Sequence, residues 1–432
     1  MSNSLKVAIA GLGTVGAGTV ELLSRQAEII KNRAGCEIVV TAVSARDRNK
    51  DRGVSIDGLT WFDDAVKMAQ EADADVVVEL IGGSDGPAKA TCEAALSAGR
   101  HVVTANKALL AHHGVELARM AEQADKSLQY EAAVAGGIPI VKSLREGLAA
   151  NGVNRVLGIL NGTSNYILTR MRNEELSFDE VLADAQELGY AEADPSFDID
   201  GVDAAHKLSI LAALAFGSAI DFGGVYTEGI RHISLMDVQF AQELGYRIKL
   251  LGIAAKSDNG IEQRVHPCLV PEGAAIANVE YAFNAVEVDC DFADTIVHVG
   301  PGAGAGPTAS AVVADLIDIA RGHRVAPLNV PVDALTPMAT TPMDQHRGGY
   351  YVRLMVVDQS GVFAEIAAVL RDHEVSMESV LQRGRAPGEP VPLVMTLHET
   401  RESSMNAALS EISALDAVDG EPCMIRIELL PA

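Results

Sequence analysis

Sulfur is scarce in this 432-residue chain. Its five cysteines, Cys36, Cys92, Cys268, Cys290 and Cys423, are odd in number, and no two form a CxxC pair. That argues against a disulfide framework or a cysteine-based zinc site, and points to reduced thiols in a cytoplasmic protein. Basic residues are few: 34 Lys and Arg stand against 59 Asp and Glu, a formal net charge of −25. A chain this acidic suits neither nucleic acid nor an anionic membrane surface as partner. No apolar run nears the ~20 residues a spanning helix needs. The opening MSNSLKVAIAGLG enters a strand at once, without the apolar region and cleavage site of a signal peptide. Hydrophobic residues make up 48% of the chain, ample for globular cores. The length is too great for one core, so two or three domains are expected.

Leu5–Ala10 reads as a short apolar strand. It runs into the GLGTVG loop (Gly11, Leu12, Gly13, Thr14, Val15, Gly16) and then into the apolar helical stretch AGTVELLSRQ. Gly11 permits a tight turn, Gly13 lets the backbone approach a pyrophosphate, and Gly16 lets helix and strand pack closely. The helix N-terminus then faces the anion. This is the start of a Rossmann dinucleotide-binding domain. The next strand, 37–44, should carry the residue that reads the ribose. It ends in Ser44-Ala45-Arg46 rather than in an acid, so Arg46 is positioned to pair with a 2′-phosphate. NADP is therefore favoured, while Asp47 leaves NAD open.

DVVVELI (residues 75–81) has the look of a buried parallel strand ending in Gly82-Gly83. A later strand, His101–Thr104, leads to Ala105-Asn106-Lys107. Thr104 and Lys107 thus stand where open α/β sheets place their ligands. A strand at 128–133 runs into the GGIP turn. Gly300–Gly306 forms a third glycine loop, whose Gly302 and Gly306 can cover a cofactor before the helix that follows.

Residues 185–208 concentrate charge. Glu187, Glu192, Asp194, Asp198, Asp200 and Asp203 precede Lys207. Pro195 and Gly201 make the middle a loop, and from Val202 the pattern turns helical, with Asp203 and Lys207 on one face. A solvated acidic loop accounts for the pattern taken alone. With a hydride carrier at hand, it reads as a pocket for a small cationic group beside an ammonium that can give up a proton. The Val202–Phe216 helix is otherwise almost all apolar, so Lys207 should be largely buried, which suits it to proton transfer. After a proline-rich stretch, residues 350–430 follow a βαββαβ order, that of a ferredoxin-like fold.

GLGTVG, TANKALLA (104–111), the GGIP turn, GILNGTSNYIL (158–168), LGYAEADPSFDIDGVDAAHK (188–207) and GPGAGAGPTASAV (300–312) occur in order. Together they resemble the homoserine dehydrogenases. The resemblance implies reduction of aspartate 4-semialdehyde to homoserine with NAD(P)H, for threonine, methionine and isoleucine synthesis. It implies Lys207 as proton donor, Lys107 as a second active-site lysine that touches both cofactor and substrate, and Glu192, Asp198 and Asp203 as substrate-binding acids. It implies a sodium-like ion held by Glu131, Val134, Gly136 and Ile138, mostly through carbonyl oxygens. The C-terminal segment resembles an ACT domain, with Asp358 and Gly361 at the turn that would take threonine as feedback ligand. Such modules pair, so a homodimer or homotetramer is expected.

The expected architecture is α/β with three domains. These are a Rossmann domain at 1–135, to which 306–345 return, an α+β substrate and dimerisation domain at 136–305, and the ACT domain at 348–432. Two other readings compete. A phosphorylating semialdehyde dehydrogenase needs a reactive thiolate, and no cysteine lies in a glycine-rich or charged site. A nucleotide sensor without turnover has no use for two lysines so placed.

Overall fold

The computed structural model describes residues 4–257, 259–337, 339–383 and 386–430. They fall into two compact units built from interleaved segments. One comprises Met1–Gly162, Asp203–Val225 and Phe283–Met338; the other comprises Thr163–Val202, Tyr226–Ala282 and Ala339–Ala432.

In the first unit six strands, β1 (Leu5–Ala10), β2 (Ile38–Ser44), β3 (Thr60–Phe62), β4 (Val76–Glu79), β5 (His101–Thr104) and β6 (Leu128–Gln129), form a parallel sheet. Their order is β3-β2-β1-β4-β5-β6, the doubly wound arrangement of dinucleotide-binding folds. On one face Val7, Ile9, Val43, Val76, Val78 and Val103 share a core with Val312 and Leu316 of the helix Ala305–Ala320. That helix lies so close to helix α1 (Thr14–Arg25) that a Cβ on Gly18 would sit 2.9 Å from the Ala305 carbonyl oxygen. Ser44, Ala10, Glu79 and Thr104 pair across in register, so β2, β1, β4 and β5 end level. This even edge is the floor on which a nucleotide can lie. The same unit holds an antiparallel trio, Val153–Ile159, Phe283–Cys290 and Asp294–Pro301.

Several local expectations shift. The strand expected at 75–81 is shorter, and it closes on a fully buried charge, Glu79. The strand expected through residue 133 stops at Gln129, and Glu131–Ala133 is a 3-10 turn. Most of the GILNGTSNYIL motif is helix, which starts at Gly162 and runs to Glu174.

In the second unit Tyr246–Ser257 and Gly260–Pro271 form an antiparallel hairpin. The C-terminal βαββαβ segment is ferredoxin-like, with strand order Val418–Ile427, Arg347–Val357, Pro390–Arg401, Met377–Gln382. Its core packs Tyr350, Val352 and Leu354 under Ile366, Leu370, Met405 and Ile412. The segment is not free-standing: Val418–Ile427 also pairs in parallel with Gly260–Pro271, through Cys268 and Leu269 opposite Arg426 and Ile427. The expected boundaries at 135, 305 and 348 therefore do not coincide with the two units.

Candidate active site

The helix Val202–Phe216 occupies the span expected of it, and it is interior on nearly every side. Lys207 is only 8% exposed. Its Nζ donates to the Leu160 carbonyl oxygen and to Asp203 Oδ2, each at 2.7 Å. One helical turn separates the two residues, which is why an i,i+4 pair closes without effort. Asp203 Oδ2 also accepts from Asn161 Nδ2 at 3.0 Å, and Oδ1 lies 3.1 Å from Lys107 Nζ. One buried carboxylate thus holds both lysines. Burial by itself would raise its pKa. The charges of Lys207 and Lys107, with hydrogen bonds from Lys207 and Asn161, outweigh burial and hold the carboxyl well below the usual range.

Lys107 begins the helix Lys107–Gln123. A cation there opposes the helix dipole, which favours anions at that end, so Asp203 has a second charge to offset. Asn106 caps this helix, its Oδ1 accepting from Leu109 N at 3.0 Å. Lys107 keeps about a third of its side chain open (35%), whereas Lys207 and Asp203 are enclosed. The arrangement carries a net charge of +1 from two ammoniums and a carboxylate, which suits a developing oxyanion.

Asp203 was expected to bind substrate. Its oxygens are engaged by Lys207, Lys107 and Asn161. Asn161 is a residue that sequence reasoning missed; the GILNGTSNYIL motif contained it, but nothing local pointed at Asp203. Glu192 and Asp198 belong to the other unit. Glu192 is exposed, and Asp198 is half-buried with Oδ2 accepting from Thr163 Oγ1 at 3.2 Å. His206 packs on Phe222 and His112, with ring centres 4.4 and 5.5 Å away. Burial, then His112, lowers its pKa to about 4, so it is neutral at physiological pH and a packing residue.

The glycine loop fits a dinucleotide. Gly11 has φ +99°, and a Cβ on it would lie 2.4 Å from the Leu80 carbonyl oxygen; one on Gly16 would lie 2.0 Å from the Gly11 carbonyl oxygen. Gly13, the N-cap of α1, has open space on its Cβ side and no side-chain cap, so α1 presents bare backbone N–H groups. Leu12 is buried, while Thr14 and Val15 open the helix. Gly306 lies in the first turn of Ala305–Ala320 and is likewise open. Gly302 is also a packing position, since a Cβ on it would lie 2.2 Å from the Asn284 side chain. Thr104 is fully buried with its hydroxyl donated to Glu79 at 2.6 Å, so it has no hydroxyl proton to offer a cofactor. Arg46 is exposed just past the end of β2, beside Arg48 and Arg52, whose guanidiniums flank Trp61 at 5.9 and 5.7 Å.

Residues 131–138 form a tight buried turn with Ala135 at φ +51°. The Glu131 carboxylate is taken up by the backbone N–H groups of Val141 and Lys142, at 3.0 and 2.8 Å. Burial, then Asp315, raises its pKa to about 7. Of the four residues expected around an ion, Glu131, Val134, Gly136 and Ile138, the Ile138 carbonyl oxygen accepts from Ile140 N at 2.8 Å. Elsewhere, His266, Cys268 and Glu428 converge. Arg264 Nη1 sits 2.9 Å from His266 Nε2 and 2.5 Å from Glu428, so a cation already fills that spot. At the C-terminal turn Gly361 takes φ +101° as N-cap of the helix Val362–Asp372, and Asp358 Oδ2 accepts from Ala386 N at 2.8 Å. Among the described residues no helix is long and apolar enough to cross a membrane.

Comparison with known proteins agrees with this geometry. The family model described as homoserine dehydrogenase, NAD binding domain, matches residues 11–131, and that described as homoserine dehydrogenase matches 139–317. The chain is 45% identical to a homoserine dehydrogenase of Neisseria gonorrhoeae over 432 residues, covering 99% of both chains. It is 44% identical to one of Pseudomonas aeruginosa, again over 99% of each. A solved homoserine dehydrogenase from Thiobacillus denitrificans is 47% identical and superposes with a TM-score of 0.94, over 99% of this chain and 98% of that one. A nucleotide-binding sheet and a lysine–carboxylate–lysine cluster, joined to identity over the full length, place this chain in the homoserine dehydrogenase family, oxidoreductases that use a nicotinamide cofactor on a small-molecule substrate.

Proposed function

We propose that this chain reduces L-aspartate 4-semialdehyde to L-homoserine, with Lys207 giving the proton. The observation that carries the reading is the Asp203 carboxylate clamping Lys107 and Lys207 in a largely buried setting. When bound, the nicotinamide supplies a hydride to the aldehyde carbon. Negative charge then appears on the aldehyde oxygen. Lys107 and Lys207 stabilise it, and Lys207, directed by Leu160 and Asp203, protonates it. Glu192 and Asp198 are the carboxylates for the substrate ammonium. Four of the five thiols support a route without a covalent intermediate: burial raises the pKa of Cys92, Cys268, Cys290 and Cys423, the last to about 12.

The test follows the absorbance of reduced nicotinamide with homoserine and oxidised cofactor, without phosphate. Turnover is expected. No turnover of homoserine, with phosphate-dependent reduction of the cofactor by aspartate 4-semialdehyde instead, would favour the phosphorylating reading. We read NADP as the preferred cofactor, because Arg46 and its neighbours stand where β2 ends. One charge-assisted hydrogen bond to the 2′-phosphate predicts a kcat/KM about 10-fold or more above that with NAD. Equal values would release Arg46 from that role.

The carbonyl turn at 131–138 is read as a sodium-like site, and the ferredoxin-like segment as an ACT module that takes threonine at Asp358 and Gly361 and pairs in a homodimer or homotetramer. In the same assay, replacing sodium by tetramethylammonium should lower the rate, with recovery on adding sodium back. Millimolar threonine should inhibit, and Asp358→Ala should blunt that inhibition. Unchanged rates in either arm would remove the corresponding site. On this reading residues 1–135 with 306–345 bind the nucleotide, 136–305 hold the substrate, and 348–432 regulate.

A further inference from the structure

Glu79 is a charged residue at the end of an otherwise apolar strand in the centre of the parallel sheet. It is fully buried. Its Oε1 accepts from the backbone N–H groups of Ile81 (2.7 Å) and Gly82 (3.2 Å), and its Oε2 accepts from Thr104 Oγ1 (2.6 Å). Three donors face it, and none is a cation. Thr104 Oγ1 in turn accepts from Asn106 N at 3.0 Å, and Asn106 Nδ2 donates to the Gly83 carbonyl oxygen at 2.7 Å. The chain of bonds closes on itself, from Glu79 through the Gly82-Gly83 turn to Asn106, Thr104 and back.

Two features of catalysis hang on this ring. Gly82 and Gly83 have φ +85° and +84°, and a Cβ on either would meet nothing within 4 Å. Packing does not demand glycine there. The left-handed backbone does, and it leaves a bare surface past the end of β4. Asn106 is the N-cap of the helix that Lys107 begins. Arg46 lies past β2, on the adenosine side of the GLGTVG loop, so the nicotinamide half belongs on the other side, over the ends of β4 and β5. That last step rests on the cofactor reading given above.

We propose that Glu79 is a positioning residue for hydride transfer, holding the Gly82-Gly83 backbone and the start of the Lys107 helix in one fixed relation. A buried carboxylate with three donors tolerates little displacement, because any lost bond leaves a polar group unsatisfied. The hydride acceptor and donor must be aligned to a fraction of an ångström, and a misplacement of about 1 Å costs on the order of 10²-fold in rate.

The test compares Glu79→Ala, Glu79→Gln and the parent in three measurements: direct binding of NADPH by its fluorescence, initial rates with each substrate varied, and thermal melting. Glu79→Ala is expected to weaken NADPH binding and lower kcat by about 10- to 100-fold each at a temperature where the variant is folded. Glu79→Gln, which keeps an oxygen for Ile81 and Gly82, should recover most of the cofactor affinity. Should Glu79→Ala fail to fold, Thr104→Val and Asn106→Ala open the same ring and should show the same loss of kcat. A folded Glu79→Ala variant, or folded Thr104→Val and Asn106→Ala variants, with parental NADPH affinity and kcat would overturn the proposal. A parent chain that binds no NADPH would instead overturn the cofactor reading beneath it.

Discussion

Lys207→Ala should turn over homoserine on the order of 10²–10⁴ more slowly than the parent, the usual range for loss of a positioned proton donor. Its NADPH affinity should stay near parental, because the residues assigned to the cofactor lie on other elements. The size follows from the setting. Lys207 is enclosed within an apolar helix, and its nitrogen is directed by the Leu160 carbonyl and Asp203, each at 2.7 Å. Water cannot readily take over the proton transfer from there. Lys207→Arg separates two contributions. It restores a positive charge, yet a guanidinium does not give up its proton in this pH range. If charge alone matters, the arginine variant recovers most of the rate; if the proton matters, it stays slow. Lys207→Ala with a near-parental rate would place the donor elsewhere.

Asp203→Asn should be nearly as damaging, for a different reason. The carboxylate is the shared partner of two ammoniums, and without its charge they repel each other inside the protein. Loss of one partner from a buried ion pair typically costs about 3–5 kcal/mol of stability. The penalty should depend on pH in a defined direction. The Asp203 carboxyl is held well below its usual range, burial opposing and the two lysines prevailing. Its stabilising contribution is therefore complete above the unfolded-state value of about 3.9, and it drains away as pH falls through the folded-state value. Urea midpoints of parent and Asp203→Asn should differ most near neutral pH and converge in strong acid. Catalysis should fall about 10²-fold or more, as the two lysines lose alignment. If only the KM for homoserine rises, with stability intact, Asp203 is a substrate ligand after all.

What could be read from the sequence was whatever is dictated over a few residues. The GLGTVG loop announces strand, turn and helix because each glycine answers a local steric demand. The helix Val202–Phe216 keeps the ends expected of it, since its apolar run and the i,i+4 pair of Asp203 and Lys207 are contained within it. Asn161 went unseen because its partner Asp203 is 42 residues away. Glu79 was absorbed into an apolar run because its ring depends on Thr104, 25 residues on. That Gly302 must also be small to make room for Asn284 could not be read from its glycine-rich loop. The homoserine motifs pointed to the right family without saying which carboxylate holds the two lysines. That distinction is one of hydrogen-bond geometry, which spacing does not record.

The parallel pairing of Val418–Ile427 with Gly260–Pro271 bears on how this enzyme can be trimmed. Removing the C-terminal segment would also disturb the strand it pairs with. It would uncover the edge of Gly260–Pro271 at Cys268 and Leu269, leaving their backbone groups as a template for another chain. It would also remove Arg426, which bonds Glu228 at 2.8 Å, and Glu428, which bonds Arg264. A chain cut near residue 345 should therefore aggregate unless that edge is redesigned.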